Sequence, residues 1–388
     1  MDGYEYRLPR PRIEAFSGRL QPHATLQLSG ETAPNIATTA RIAGYREKRQ
    51  MKAVGYRKSL PIDASDALID FETAKPEPKG RDIRVAVKAI SANPVDYKVR
   101  KRAAPPEGET KILGYDAAGI VDAVGPDVSL FKPGDEVFYA GSILRQGTNS
   151  EFHLVDERIV GNKPKTLSFA QAAALPLTSI TAWELLFDRL GLVPDRNVVD
   201  PRTLLIVSGA GGVGSILIQF ARRATGLTVV ATASRPESQK WCLDLGAHAV
   251  IDHSKPMKEQ IEKLKMPPVA LIASLTNTEQ HYKALVDIIA PQGKFGLIDD
   301  PLEFNVSVFK GKAVSIHWES MFTRSSFQTP DMIEQHHLLN LVAGLIDKGA
   351  LRTTLDQTFG TINAANLKRA HALLESGKSR GKIVLEGW

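Results

Sequence analysis

A chain of 388 residues and 42.3 kDa exceeds any single small module, and 43% hydrophobic with 24% charged residues provides for a packed core, which excludes a disordered or fibrous protein. The lone cysteine, Cys242, excludes an intramolecular disulfide and a Cys-only structural zinc site. The net charge of +6 does not single out a nucleic-acid partner, because residues 1–50 alone hold eight basic and five acidic side chains, half of the excess.

Residues 1–50 lack periodicity and carry breakers at Pro9, Pro11, Pro22 and Pro34, which predicts an irregular, disordered extension ahead of the folded part. Met51 opens a strand-like start. From there to residue 176, short β-branched runs such as "DIRVAVKAIS", "AAGIVDAVG" and "EFHLVDERIV", punctuated by Gly and Pro, predict a mainly β domain. "SFAQAAALPLTSITAWELLFDRLGL" has helical spacing and ends at Gly191. Strand and helix patterns then alternate through residue 330, the pattern of an α/β domain with a doubly wound parallel sheet of about six strands. Residues 331–388 supply an amphipathic helix and a closing strand in "GKIVLEG", expected to return to the first domain. No apolar run reaches the roughly 18–20 residues of a membrane span, and no secretory signal follows Met1, so a cytoplasmic protein with no membrane partner is expected.

"TLLIVSGAGGVGSILIQFARR" places Gly209, Gly211 and Gly214 in G-x-G-x-x-G between a strand and a helix. The first glycine permits a tight turn, the second lets a pyrophosphate approach the backbone, and the third lets helix pack closely on strand. Gly209, Ala210, Gly211, Gly212, Val213 and Gly214 are therefore expected to cradle a dinucleotide. The next strand, "TVVATAS", ends without the acid that would hold both ribose hydroxyls. It ends instead at Ser234 and Arg235, with Lys240 one turn into the next helix, and these residues favour the 2′-phosphate of NADPH.

At this point the chain resembles the medium-chain dehydrogenase/reductase superfamily, in particular its quinone oxidoreductase branch, often labelled zinc-type alcohol dehydrogenase-like. The carriers are "SANPVDYKVR", "LGYDAAGIVDAVG", "FKPGDEV", "AALPLTSITAWELL" and "SGAGGVGSILIQFAR". The resemblance implies a GroES-like mainly β catalytic domain over 51–176 and a Rossmann domain over 177–330. It further implies a cleft between them for cofactor and substrate, and a homodimer. The family's zinc ligands fall on Asn93, Tyr115 and Pro176 or Leu177, none of them a usable ligand, so no metal is expected despite the label. Asn93 then donates to a substrate oxygen or caps the turn before Pro94, while Tyr115 contacts substrate or fills the vacated space. Tyr97 stands one residue before the family's tyrosine position. Thr178 and Lys382 resemble residues that reach the cofactor.

Without a Lewis acid, saturated alcohols are poor substrates, whereas a quinone or α,β-unsaturated carbonyl accepts hydride to give a delocalised anion. The reading is an NADPH-dependent quinone or enone oxidoreductase. The alternatives are a zinc-type alcohol dehydrogenase and a non-enzymatic NADPH-binding or redox-sensing protein.

Overall fold

The computed structural model describes residues 50–195, 197 and 199–388; the extension expected over 1–50 lies outside the described residues except for Gln50. Three strands come first in a small sheet, ordered β2 (Ile69–Ala74), β1 (Gln50–Tyr56) and β4 (Lys111–Ile112). Between them in sequence run β3 (Asp82–Ala92) and the helix Pro94–Arg102. β3 alternates half-buried and buried positions along "DIRVAV", as a strand with one face on the core must.

A larger sheet is built on β3. It takes in β5 (Ala117–Val124), β6 (Glu136–Tyr139), β7 (Phe152–Asp156) and β8 (Val160–Asn162), then β15 (Leu355–Thr358) and β16 (Lys382–Glu386) from the far end of the chain. β16 pairs antiparallel with β3, Ile383 opposite Ala92 and Glu386 opposite Ala89. The expected return of the chain's end to the β domain is thus observed. This mainly β layer is the first half of a mixed α/β fold.

The second half is a six-stranded parallel sheet. Its order is β11 (Ala249–Ile251), β10 (Thr228–Thr232), β9 (Thr203–Val207), β12 (Val269–Ser274), β13 (Lys294–Leu297) and β14 (Ser315–Trp318). Every residue of β9, "TLLIV", is buried, because helices cover both faces of a central parallel strand. The strand order reverses beside β9, and ligands of doubly wound sheets bind at the carboxyl ends of strands at such a point.

The helical run expected over 168–191 is interrupted. The helix Phe169–Ala173 stops, and a new one, Pro176–Trp183, starts at a proline that cannot continue the preceding turn. It then widens into a π-helical segment, Glu184–Arg189, where the Leu190 amide donates to the Leu185 carbonyl at 2.9 Å. Among the described residues, no helix is long and apolar enough to cross a membrane.

Candidate active site

The glycine turn joins β9 to the helix Gly212–Ala224. A Cβ on Gly214 would meet the Gly209 carbonyl oxygen at 2.5 Å, so helix and turn approach more closely than any side chain allows. Gly211 differs: a Cβ there would touch only the Ser208 carbonyl, at 3.5 Å, which leaves room for a ligand. Gly212, Val213 and Gly214 occupy the first helical turn, whose amides lack intrahelical acceptors and suit a pyrophosphate. The turn is tied to the adjacent strand, since the Thr232 carbonyl accepts from the Gly209 amide at 3.0 Å and Thr232 Oγ1 accepts from the Ser208 amide at 2.9 Å.

Two predicted cofactor residues lie against this turn. A Cβ on Gly212 would meet Lys382 Cδ at 3.0 Å and Thr178 Cγ2 at 3.2 Å. Thr178 Oγ1 is satisfied within its helix by the Leu175 carbonyl at 3.2 Å, so its methyl faces the turn. The neighbouring Gly381 amide donates to the Ala210 carbonyl at 2.9 Å, which fastens the returning chain end to the glycine turn. These residues fit a dinucleotide: open backbone at Gly211, unpaired amides and a cationic side chain nearby.

At the end of β10, Ser234 is exposed and Arg235 is half-buried. Arg235 Nη2 donates to the Lys378 carbonyl at 2.9 Å and to Ser238 Oγ at 3.2 Å, and its Nε pairs with Glu237 at 3.2 Å. Lys240 follows one turn into the next helix. It pairs with Asp244 one turn on, at 2.7 Å, on the exposed face of the helix Pro236–Asp244.

The ammonium of Lys382 reaches past the turn into the interior, where it donates to Asn93 Oδ1, to Asp116 Oδ2 at 2.9 Å and to the Ala92 carbonyl at 3.2 Å. Asn93 Nδ2 donates to Asp116 Oδ2 at 2.8 Å and to the Ser91 carbonyl at 3.1 Å. Asp116 Oδ1 accepts from the Leu177 amide at 2.8 Å. Asn93, Asp116 and Lys382 are all buried. Burial pushes the Asp116 carboxyl upward, against the pull of the Lys382 ammonium and of these donors.

Asp96, three residues after Asn93, accepts from the Asn93 amide at 2.7 Å and so fixes the start of its helix. Burial pushes its carboxyl to about 7, opposed by the Asn93 amide and Lys382. A carboxyl raised above its unfolded value stabilises the fold fully below that unfolded value, and the contribution is lost as pH rises through about 7. Chemical denaturation at pH 5 and pH 8 is expected to show this loss in the natural protein and a flatter dependence in Asp96→Asn. Equal slopes would mean that Asp96 is ionised throughout.

Tyr115 is buried, its ring edge-on to Phe322 at 5.4 Å, and its hydroxyl has no hydrogen-bond partner. Burial raises its phenol above the ordinary range, which keeps it protonated and able to donate. Tyr97 lies apart from this group, packed against the β-domain core with the Lys101 ammonium 5.6 Å from its ring centre. Asn93 also needs revision as a donor to substrate, because both its amide hydrogens are already committed to Ser91 and Asp116.

The donor set does not fit zinc. It comprises one carboxylate, one amide, a phenol and an ammonium, and among the described residues no three His, Cys, Asp or Glu side chains converge as metal ligands. The buried Lys382–Asp116 pair joins a residue expected at the cofactor with one that sequence reasoning gave no role. Its signal there was a lysine and an aspartate each placed in an otherwise apolar run, "GKIVL" and "GYDAAG".

Residues 79–181 match the alcohol dehydrogenase GroES-like domain, and residues 245–385 match the zinc-binding dehydrogenase family. A zinc-type alcohol dehydrogenase-like protein of Staphylococcus aureus is 40% identical over 339 residues, covering 86% of this chain and 99% of its own length. A Rhizobium etli protein, described provisionally as a zinc-dependent alcohol dehydrogenase, has a solved structure that is 60% identical, with a TM-score of 0.83, covering 88% of this chain and 99% of its own. The quinone oxidoreductase from Coxiella burnetii is 26% identical with a TM-score of 0.71, covering 88% and 100%. The chain therefore belongs to the medium-chain dehydrogenase/reductase superfamily and is an oxidoreductase of that family.

Proposed function

We propose that this protein is an NADPH-dependent oxidoreductase that transfers hydride to a quinone or an α,β-unsaturated carbonyl without catalytic zinc, as a cytoplasmic homodimer. The observation that carries this reading is the Lys382 ammonium held between Asn93 and Asp116, the first of which stands at a family zinc-ligand position. The ammonium fills the place of a metal ion and occupies Asn93 Oδ1 and Asp116 Oδ2, the oxygens a cation would need. Without a Lewis acid the acceptor must itself delocalise the charge that hydride brings, as a quinone or enone does.

The bound nicotinamide supplies the hydride. The glycine turn and the first-turn amides of the helix Gly212–Ala224 hold the pyrophosphate, with the Thr178 methyl and the Lys382 stem beside them. Arg235 and Ser234 take the 2′-phosphate. Tyr115, protonated and without a partner among the described residues, donates to the substrate oxygen; Asn93 and Asp116 hold the ammonium in place. Tyr97 has no place in this arrangement.

The test is oxidation of NADPH and of NADH with a quinone, an enone and a simple aldehyde, with and without a chelator. Chelator-resistant turnover of quinone or enone with NADPH is expected. Chelator-sensitive reduction of the aldehyde would instead establish a zinc-type alcohol dehydrogenase, and tight NADPH binding with no turnover would favour the non-enzymatic reading.

A further inference from the structure

A second group of buried charges lies apart from Lys382 and Asp116. Glu184 opens the π-helical segment and Glu319 follows β14 directly; both side chains are completely shielded from solvent. Arg324 Nη1 meets Glu184 Oε1 at 2.6 Å, and Gln335 Nε2 donates to the same oxygen at 3.3 Å. Arg189 Nε meets Glu319 Oε2 at 2.8 Å.

The inner oxygens, Glu184 Oε2 and Glu319 Oε1, have no such donor; the nearest cation, Arg189 Nη2, stands 4.0 Å from Glu184 Oε2. Arg189 lies within 4.0 Å of both carboxyl groups, and each of them keeps one buried oxygen without a donor among the described residues. A proton kept on one carboxyl supplies the donor that two buried carboxylates beside one guanidinium lack. Among the described residues, the other titratable groups facing the cluster are Asp188 and Asp331, at 3.1 Å and 3.0 Å from Arg324 Nη2, and His317 on β14, whose imidazole is held low by burial and by Lys294 and Arg189.

The cluster converges on residues 319–331. Glu319 begins this segment and Arg324 lies in its short helix, Thr323–Phe327. Gln335 donates to the Met321 carbonyl at 2.7 Å, and Phe322 carries the ring that packs on Tyr115. Ser325 and Gln328 of the same segment border a small hollow with Ser142, Arg145 and Met332.

We infer that Glu184 and Glu319 share a proton that clasps residues 319–331 and so positions Phe322 against Tyr115, and that loss of this proton in alkaline medium releases the segment. The link to substrate rests on the role proposed for Tyr115; the clasp itself does not. Burial, and then the Glu184 charge, push Glu319 to about 9, so the clasp is intact at neutral pH and is lost as pH rises through about 9. Glu319 is therefore a positioning residue, acting through Phe322.

Hydrogen exchange of residues 320–330 in the full chain, without substrate, tests this between pH 7 and pH 10, with each variant compared at equal pH. Glutamine at 319 keeps a donor toward Glu184 and an acceptor toward Arg189 but has no proton to lose. Exchange in the natural protein is expected to become at least tenfold faster than in Glu319→Gln by pH 10, and Glu319→Ala should exchange fast already at pH 7. In parallel, the KM for quinone should rise on the alkaline side in the natural protein and stay level in Glu319→Gln, with kcat less affected. Parallel exchange in the natural protein and Glu319→Gln across this range, or full protection in Glu319→Ala, would overturn the clasp. The expected exchange pattern without turnover of any substrate would uphold the clasp and sink the proposed activity.

Discussion

Replacing Lys382 with methionine is expected to destabilise the protein by about 3–5 kcal/mol at pH 8, the usual cost of breaking a buried ion pair by removing one partner. The lysine stem packs on the glycine turn and its ammonium is the only cation bonded to Asp116 among the described residues. Methionine preserves much of the stem but leaves a buried carboxylate with only Asn93 and the Leu177 amide as donors. Burial already raises the Asp116 carboxyl, and removal of the ammonium raises it further, so the variant avoids the cost by taking up a proton. A carboxyl whose folded value lies above its unfolded one loses stabilisation as pH rises. The defect should therefore be smallest near pH 5 and grow toward pH 8. Adding Asp116→Asn removes the stranded charge and keeps an acceptor for Leu177, and it should recover most of the loss. Urea denaturation of both variants at the two pH values decides the matter: an unchanged midpoint in Lys382→Met at pH 8 would show that the pair carries no electrostatic weight.

That pair also marks the boundary between what the sequence discloses and what it conceals. The Rossmann half is legible because its signals are local. The all-apolar run of β9, the glycine spacing and the amphipathic helix beyond them lie within a few turns of one another. The closing strand was legible as a run with no helical partner after it. Lys382 and Asp116, by contrast, are 266 residues apart, and the antiparallel pairing of both β16 and β5 with β3 brings them together. The same holds for Glu184 and Glu319, whose meeting depends on the π-helical turn and on the edge strand. Lys240 shows a local contact that residue type and spacing also carry: the pitch of its helix stacks it on Asp244, four residues on. A phenol at a ligand position reads equally as substrate contact or as filler, and only the structure shows that its hydroxyl is buried without a partner among the described residues.

The second large effect is expected at Arg235, where glutamate should weaken NADPH binding about 100-fold or more and change NADH binding by less than about threefold. The argument begins with register. β10 lies beside β9 with Val230 opposite Leu205, and Thr232 is bonded to both Ser208 and Gly209, so the end of β10 stands next to the glycine turn. In a dinucleotide fold that end reads the adenosine ribose. A charge-assisted hydrogen bond lost there costs about 1.5–3 kcal/mol, or roughly 10–100-fold, and a carboxylate in its place adds repulsion from the 2′-phosphate. NADH carries no such phosphate and is spared. Arg235 also has a structural attachment, the Lys378 carbonyl at 2.9 Å, so loss of the guanidinium could act by loosening the loop before β16. The two cofactors separate these causes. A loosened loop disturbs Gly381 and the glycine turn, which serve the pyrophosphate common to both, and would weaken NADPH and NADH alike. Fluorescence titration of Arg235→Glu with each cofactor therefore distinguishes a phosphate ligand, which lowers affinity for NADPH alone, from a loop anchor, which lowers both together.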